Sequence, residues 1–449
     1  MADGLLLWPA LGACLLLTIL ICVVSFGVRA SGWIFVVLSC AVAPALLIGG
    51  SAVYHVGIAG PAPEVRTFAV VIGAGVVLGL LTLQRGSVPL PLVGLGTGIL
   101  LAAEFAWPGT PVVAAGVVQL LIGIGAWYVG SMVGVLSRRS CRLISMLLLG
   151  VVLLQIVFAG IQLLGMRPAL LTPIDAAILG DRVNGTTNHP DTLGKMLLVV
   201  ILLCLFVFER GDKFARRMAG WAIVLAFVPL VLAQGRANMV AAVVAIGAWA
   251  LLLPTAVHRS ARRNVMFGLG LAVVLAVGAL WSRFQEDPGG GVRSTIAPYA
   301  VEQIGLTPWF GVGPNNYTSV VGPRTGSWIP VHNSFLLLVA ELGIPLAAMF
   351  ALAIAVLVVR GWRRRKLVGA DGAASRVLLA AVPGVLLIGL TGWGLLGTSI
   401  FPLAMFALGV ATVNIGSGRV RSDPHTTTVD TSSIRRVAST NSSAGRAIR

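Results

Sequence analysis

The chain has 449 residues, 57% of them hydrophobic and 10% charged, with a formal net charge of +17. A mean hydropathy of +0.96 excludes an ordinary soluble globular protein, and repeated apolar runs near the length of a bilayer crossing mark a polytopic, all-α membrane protein. The basic excess then reads as the bias of cytoplasmic loops, so no nucleic-acid partner is expected.

In chain order, apolar runs predict spans at about 4–27, 32–53, 68–84, 88–106, 111–136, 143–165, 194–208, 217–233, 237–254, 264–281, 333–359, 377–395 and 398–415. That makes 12 or 13 transmembrane helices, because the short final pair also reads as one broken helix. The first run lacks a basic leader and is too long for a signal-peptide core, so it is expected to stay as a span. The cysteines, Cys14, Cys22, Cys40, Cys141 and Cys204, fall within spans or at an inner edge, so neither a disulfide nor a Cys metal site is expected.

Eighteen of the 32 basic residues fall in one set of alternate loops, eight in the opposite set and six in the tail. The dense set, which includes Arg138, Arg139, Arg216, Arg217 and Arg363 to Lys366, is therefore cytoplasmic. Residues 1–415 form the membrane domain, and 416–449, rich in Ser, Thr and Arg, form a disordered cytoplasmic tail. Thirteen spans put the N-terminus outside and twelve put it inside.

Two extracytoplasmic loops break the pattern of short connections, at 166–193 and, between spans 10 and 11, at 282–331. In the larger one Ser294 is placed to cap a short helix with an apolar stripe of Ile296, Tyr299, Ala300 and Ile304. The turn formers and aromatics of Pro308-Trp309-Phe310-Gly311-Val312-Gly313-Pro314-Asn315-Asn316-Tyr317 follow. This loop is expected to lie against the membrane as a lid.

The residues able to carry chemistry collect on that same face. His332, at the start of span 11, is the natural base for a sugar hydroxyl, the alternative being that His332 and Asn333 only cap the span. In Asp181-Arg182-Val183-Asn184-Gly185-Thr186-Thr187-Asn188-His189-Pro190-Asp191-Thr192, Asp191 or Thr192 is expected to cap the next span, leaving Arg182 and His189 for other work. Arg182, Arg236 and Arg293 suit an anionic diphosphate. Glu341, about 13 Å into span 11, either pairs with one of these arginines or stays protonated, and takes a tuning role. No Walker loop, HExxH or Asp-x-Asp occurs, so the donor is expected to carry its own activated leaving group, and no metal or other cofactor is assigned.

Four motifs in order resemble the O-antigen ligase and polymerase family of bacterial membrane glycosyltransferases. They are Arg182-x-x-Gly185 with His189-Pro190; Gln234-Gly235-Arg236-Ala237; Pro308-Trp309-Phe310-Gly311-Val312-Gly313; and His332-Asn333-Ser334-Phe335-Leu336 with Glu341-Leu342-Gly343-Ile344. The family commonly has Asn where Asp191 stands and Ser where Gly235 stands. The resemblance, over about residues 180–360, implies a plasma-membrane enzyme with an extracytoplasmic site. It implies metal-independent, inverting transfer of a glycan from an undecaprenyl-diphosphate-linked donor to a glycan or lipid acceptor. Catalytic roles then fall to His332, Arg182 and Arg293, and substrate-binding roles to Arg236, His189, Asn184, Asn333, Asn315 and Glu341. The rivals are a peptidoglycan-type polymerase, which would depend on a carboxylate such as Asp181 or Glu302, and a lipid-linked glycan flippase.

Overall fold

The computed structural model describes residues 87–132, 138–165, 182–187, 189–254, 270, 293–326, 330–392 and 400–416. The spans expected at 4–27, 32–53, 68–84 and 264–281, and the tail from 417, lie outside the described residues. Eleven helices form the described part: α1 Leu90–Phe105, α2 Pro111–Met132, α3 Arg138–Leu163, α4 Pro190–Arg210, α5 Lys213–Leu232, α6 Arg236–Leu252, α7 Arg293–Leu306, α8 Tyr317–Thr325, α9 Ser334–Arg364, α10 Ala370–Thr391 and α11 Ile400–Gly416. Among the described residues there is no strand. Six helices (α2 to α5, α9 and α10) are long and apolar enough to cross a membrane, and α1, α6 and α11 are shorter apolar helices. The protein is thus an all-α polytopic membrane protein.

Helix α4 is the axis of the bundle. It is apolar on every side, and from Pro190 to Val207 nearly every residue is buried, against α3, α5, α6, α10 and α11. Elsewhere small residues let backbones meet. A Cβ on Gly130 of α2 would overlap the Phe406 carbonyl of α11, and one on Gly409 would overlap the Trp127 carbonyl.

Successive helices alternate in direction, and polar contacts pin them at both ends. At the basic end Arg376 Nη2 of α10 meets Glu209 Oε2 of α4 at 2.5 Å, with side chains only 5% and 6% exposed. Trp249 Nε1 of α6 donates to Glu209 Oε1 at 2.7 Å. Nearby, Arg364 pairs with Asp371, and Arg142 of α3 pairs with Asp212, the N-cap of α5. The Arg142 bond holds the Asp212 carboxyl below the usual carboxylate range. Removing one partner of the buried pair, as in Arg376→Met, leaves an unmatched charge. It is expected to cost about 3–5 kcal/mol in chemical unfolding, with Arg376→Met plus Glu209→Leu costing less than the single change.

The opposite end is shaped by a break in α9. Gly361 of α9 lies beside Ser375 of α10, a Cβ there standing 3.8 Å from the Ser375 Cα. At the other end Ser334 Oγ donates to the Gly392 carbonyl at 2.9 Å. Between those two ties α9 would rise about 40 Å if straight, whereas α10 rises about 26 Å. The difference is taken up at Gly343, whose φ of 77° and ψ of 168° lie outside the helical region. From Ile344 to Gly361 the rise is again about 26 Å, so Gly343 stands level with Gly392. The half-helix Ser334–Leu342 therefore turns across the end of the bundle.

Breaking a helix frees carbonyls, and the lid supplies their partners. Val312 N donates to Ala340 O at 3.0 Å, Gly313 N to Glu341 O at 2.9 Å, and Ile344 N to Pro308 O at 2.8 Å. The expected apolar stripe of α7 is present: Ile296 and Ala300 are buried, and Tyr299 and Ile304 pack partly buried beside Val312, Tyr317, Val331 and Leu337. Ser294 lies inside the first turn of α7 rather than before it, and the lid holds a second helix, α8, that hydropathy did not mark. A Cβ on Gly343 would overlap the Trp309 carbonyl. Gly343→Ala therefore combines that overlap with a backbone geometry costing about 1–3 kcal/mol. The expected result is faster trypsin cleavage at exposed Arg324 on α8, exceeding any fall in global Tm.

Candidate functional site

At the end away from the basic loops, short segments from four parts of the chain meet. The first is the 182–187 turn, fastened to α3 by two glutamines. Gln162 Oε1 accepts from Asn184 N and Gly185 N at 3.0 Å each, and its amide donates to Gly185 O at 2.9 Å. Gln155 Oε1 accepts from Thr186 N at 2.9 Å, and its amide donates to Thr186 Oγ1 at 2.8 Å. This polar seat fixes where Arg182 leaves the turn.

Arg182 reaches the second segment, the tight α5–α6 turn. Its Nε donates to Ala233 O at 3.1 Å, and Val183 N donates to Leu232 O at 3.3 Å. Gln234 in that turn has a φ of 52°, and Gly235 precedes Arg236, which opens α6 half-buried. Arg182 and Arg236 are therefore carried by two segments bonded to each other.

The third segment is the start of α4. Arg182 Nη2 lies 3.4 Å from Asp191 Oδ1, and Asn238 of α6 donates to Asp191 O at 3.2 Å, resting on Gly194. One turn on, Lys195 shares a face with Asp191 and is only 4% exposed. A methyl placed on Gly392 would stand 3.4 Å from Lys195 Nζ. Gly392 is the residue whose carbonyl Ser334 holds, so Lys195 lies next to the fourth segment, His332-Asn333-Ser334 at the head of the half-helix. His332 itself is half-buried.

Several sequence-predicted residues take parts other than those expected. His189, left free of capping in the sequence reading, is the N-cap of α4: its Nδ1 accepts from Asp191 N at 3.1 Å. Its ring is 32% exposed, so capping still leaves an edge open to the site. Asn184 is 2% exposed and its amide donates to the Thr187 carbonyl inside its own turn, a structural part. Asn333 is the N-cap of α9, its Oδ1 accepting from Phe335 N and Leu336 N at 3.0 and 3.1 Å, so the side-chain cap belongs to Asn333 and not to His332.

Among the described residues Glu341 pairs with no arginine, and it does not face open water. It is 6% exposed and accepts from the backbone N–H groups of Asn315 and Tyr317, tethering the lid to the broken helix. Asn315 donates to Gln119 of α2 at 3.4 Å, which makes it part of the same tether. Of Arg293 only the backbone is described. Pro308 meets Ile344 at the C-terminal ends of α7 and the half-helix, and Ala300 and Val331 share one apolar cluster. Helix α7 therefore runs in the same direction as the half-helix, and the Arg293 backbone stands toward the His332 end. Glu302 is exposed and 3.5 Å from Arg324, and Asp181 lies outside the described residues.

The sequence reading missed Lys195, Asn238 and the two glutamines as parts of this site. A signal existed for the last pair: Gln155 and Gln162 are seven residues apart, one face of an otherwise apolar span.

Fold and site together define a polytopic helical membrane protein with a cationic, histidine-bearing site at one end of its bundle. A family model for O-antigen ligase matches residues 221–351. The chain is therefore O-antigen ligase-like over the stretch that runs from α5 through Arg236 and the lid to His332 and the break in α9. Arg182, His189 and Lys195 lie upstream of it. Over that stretch the chain is similar to O-antigen ligases. No curated protein matches the chain.

Proposed function

We propose that the protein transfers a glycan from an undecaprenyl-diphosphate-linked donor to an acceptor hydroxyl, on the extracytoplasmic face of a bacterial plasma membrane. The observation that supports this reading is a chain of contacts at the end opposite the Glu209–Arg376 pair. Arg182 bonds the turn that carries Arg236 and lies 3.4 Å from Asp191. Lys195, one turn on, lies beside Gly392, whose carbonyl Ser334 holds two residues after His332. His332 takes the proton of the acceptor hydroxyl as that oxygen attacks the anomeric carbon. The bond from that carbon to the diphosphate oxygen breaks in the same displacement, so configuration inverts. Arg182, Arg236 and Arg293 meet the charge that develops on the leaving diphosphate, in a site shielded from bulk water. The donor brings its own leaving group, so the proposed reaction needs no metal, and a chelator should leave its rate unchanged.

The test is a reconstitution of the purified full chain with a polyprenyl-diphosphate-linked glycan and a hydroxyl acceptor, followed by mass spectrometry. Free polyprenyl diphosphate appearing in step with glycosylated acceptor is the expected result. Movement of intact donor between leaflets with no diphosphate release would replace this reading with the flippase.

A further inference from the structure

Among the described residues, the tip of the lid carries a patch of exposed large apolar side chains. Trp309 is 70% exposed and Phe310 51%, with Leu306 at 57%, Ile344 at 52% and Phe105, at the end of α1, at 83%. The backbone beneath is firmly held. Trp107 Nε1 donates to Phe310 O at 2.6 Å, and Pro308 O accepts from Ile344 N. Two large aromatics are thus held rigidly outward at the level where α9 resumes after its break.

That level can be placed against a bilayer. The first charged residue after Ile344 is Arg360, so the uncharged run is residues 344–359. At the α-helical rise this run covers about 24 Å, short of the roughly 30 Å of a hydrocarbon core. Arginines at its far end make up part of the shortfall by reaching outward, and the core must still extend up to the break. Further along α9 and α1, Leu352, Met349, Leu101 and Leu100 are also exposed apolar side chains. About 9 Å from Pro308 along α7, the lid turns polar, with exposed Glu302 paired to Arg324.

We infer that the lid tip is a membrane anchor: Trp309 and Phe310 sit in the boundary between lipid headgroups and acyl chains, while the upper faces of α7 and α8 stand in water. Tryptophan, with an apolar ring and a polar N–H, favours that boundary, and the apolar ring of Phe310 beside it suits the acyl-chain side. One end of the lid is then fixed to the bilayer beside the broken helix.

The test uses the full chain with its five native cysteines replaced, in nanodiscs of phosphatidylcholine and phosphatidylglycerol. A nitroxide is attached at Trp309→Cys, Leu306→Cys or Glu302→Cys in turn, and its collisions with oxygen and with a water-soluble nickel chelate are measured. The expected result is several-fold more oxygen than nickel contact at 309 and 306, with the order reversed at 302. Nickel contact at 309 and 306 as high as at 302 would overturn the anchor. Shielding of 309 and 306 from both reagents would also overturn it, in favour of a protein partner or a second copy of the chain. Leu306 provides a second reading should the Trp309 variant fail to fold.

Discussion

His332→Ala is expected to lower glycan transfer by about 10²- to 10⁴-fold, the usual contribution of a positioned general base. Expression, Tm and donor binding should stay close to those of the unchanged protein. The separation is expected because the cap of α9 is made by Asn333, whose Oδ1 takes both Phe335 N and Leu336 N, while Ser334 ties the half-helix to Gly392. None of those bonds uses the imidazole. His332→Gln keeps a hydrogen-bonding side chain without a base of useful strength, and it should be nearly as slow as alanine. A glutamine variant of near-normal rate would assign His332 to hydrogen bonding instead.

Arg182→Ala is expected to act on donor affinity. Loss of one charge-assisted contact is worth about 1.5–3 kcal/mol, or roughly a ten- to hundredfold rise in the KM for donor. Arg182→Lys should recover little, because a single ammonium cannot serve the Ala233 carbonyl, Asp191 and a diphosphate at once, as a planar fork can. Since Arg182 also links two turns, a structural loss has to be separated from a lost phosphate contact. Asp191→Asn does this: it removes the ion pair and keeps the arginine. A KM close to that of the unchanged protein in Asp191→Asn, beside a raised KM in Arg182→Ala, assigns the effect to the donor. Equal defects in both would assign it to the fold.

The membrane helices were legible because hydrophobic runs of bilayer length have few other uses. Of the ten spans expected from 88–106 to 398–415, all but 264–281, which lies outside the described residues, correspond to helices, α1 to α6 and α9 to α11. Their ends were less legible. Hydropathy marks only the part of a helix that lies in lipid, whereas the backbone ladder of α3 begins at Arg138 and that of α9 runs on to Arg364. The break at Gly343 was visible only as Gly-Ile-Pro in an apolar run, and what decides the break is distant: lid N–H groups that take the freed carbonyls.

Similar reasoning explains the site. Arg236, in a turn with almost no loop between two apolar spans, could be read as a candidate site residue because an uncompensated guanidinium near lipid is costly. The assignment of His189 away from capping failed because an acceptor nitrogen two residues before Asp191 N competes with the usual Asp or Thr caps, and only geometry ranks them. Lys195 was overlooked for a different reason. Nothing in its local sequence separates a snorkelling lysine from one folded in against Gly392, nearly 200 residues away.

The central claim is that the chemistry belongs to the end of the bundle carrying Arg182, Arg236 and His332, opposite the Glu209–Arg376 end. The most direct measurement reconstitutes the protein in vesicles of known orientation, supplies lipid-linked donor to the outer leaflet alone, and follows release of polyprenyl diphosphate. Vesicles with the Arg363–Lys366 loop inside should consume the donor, and inverted vesicles should not. Donor consumption confined to the inverted vesicles would contradict the account.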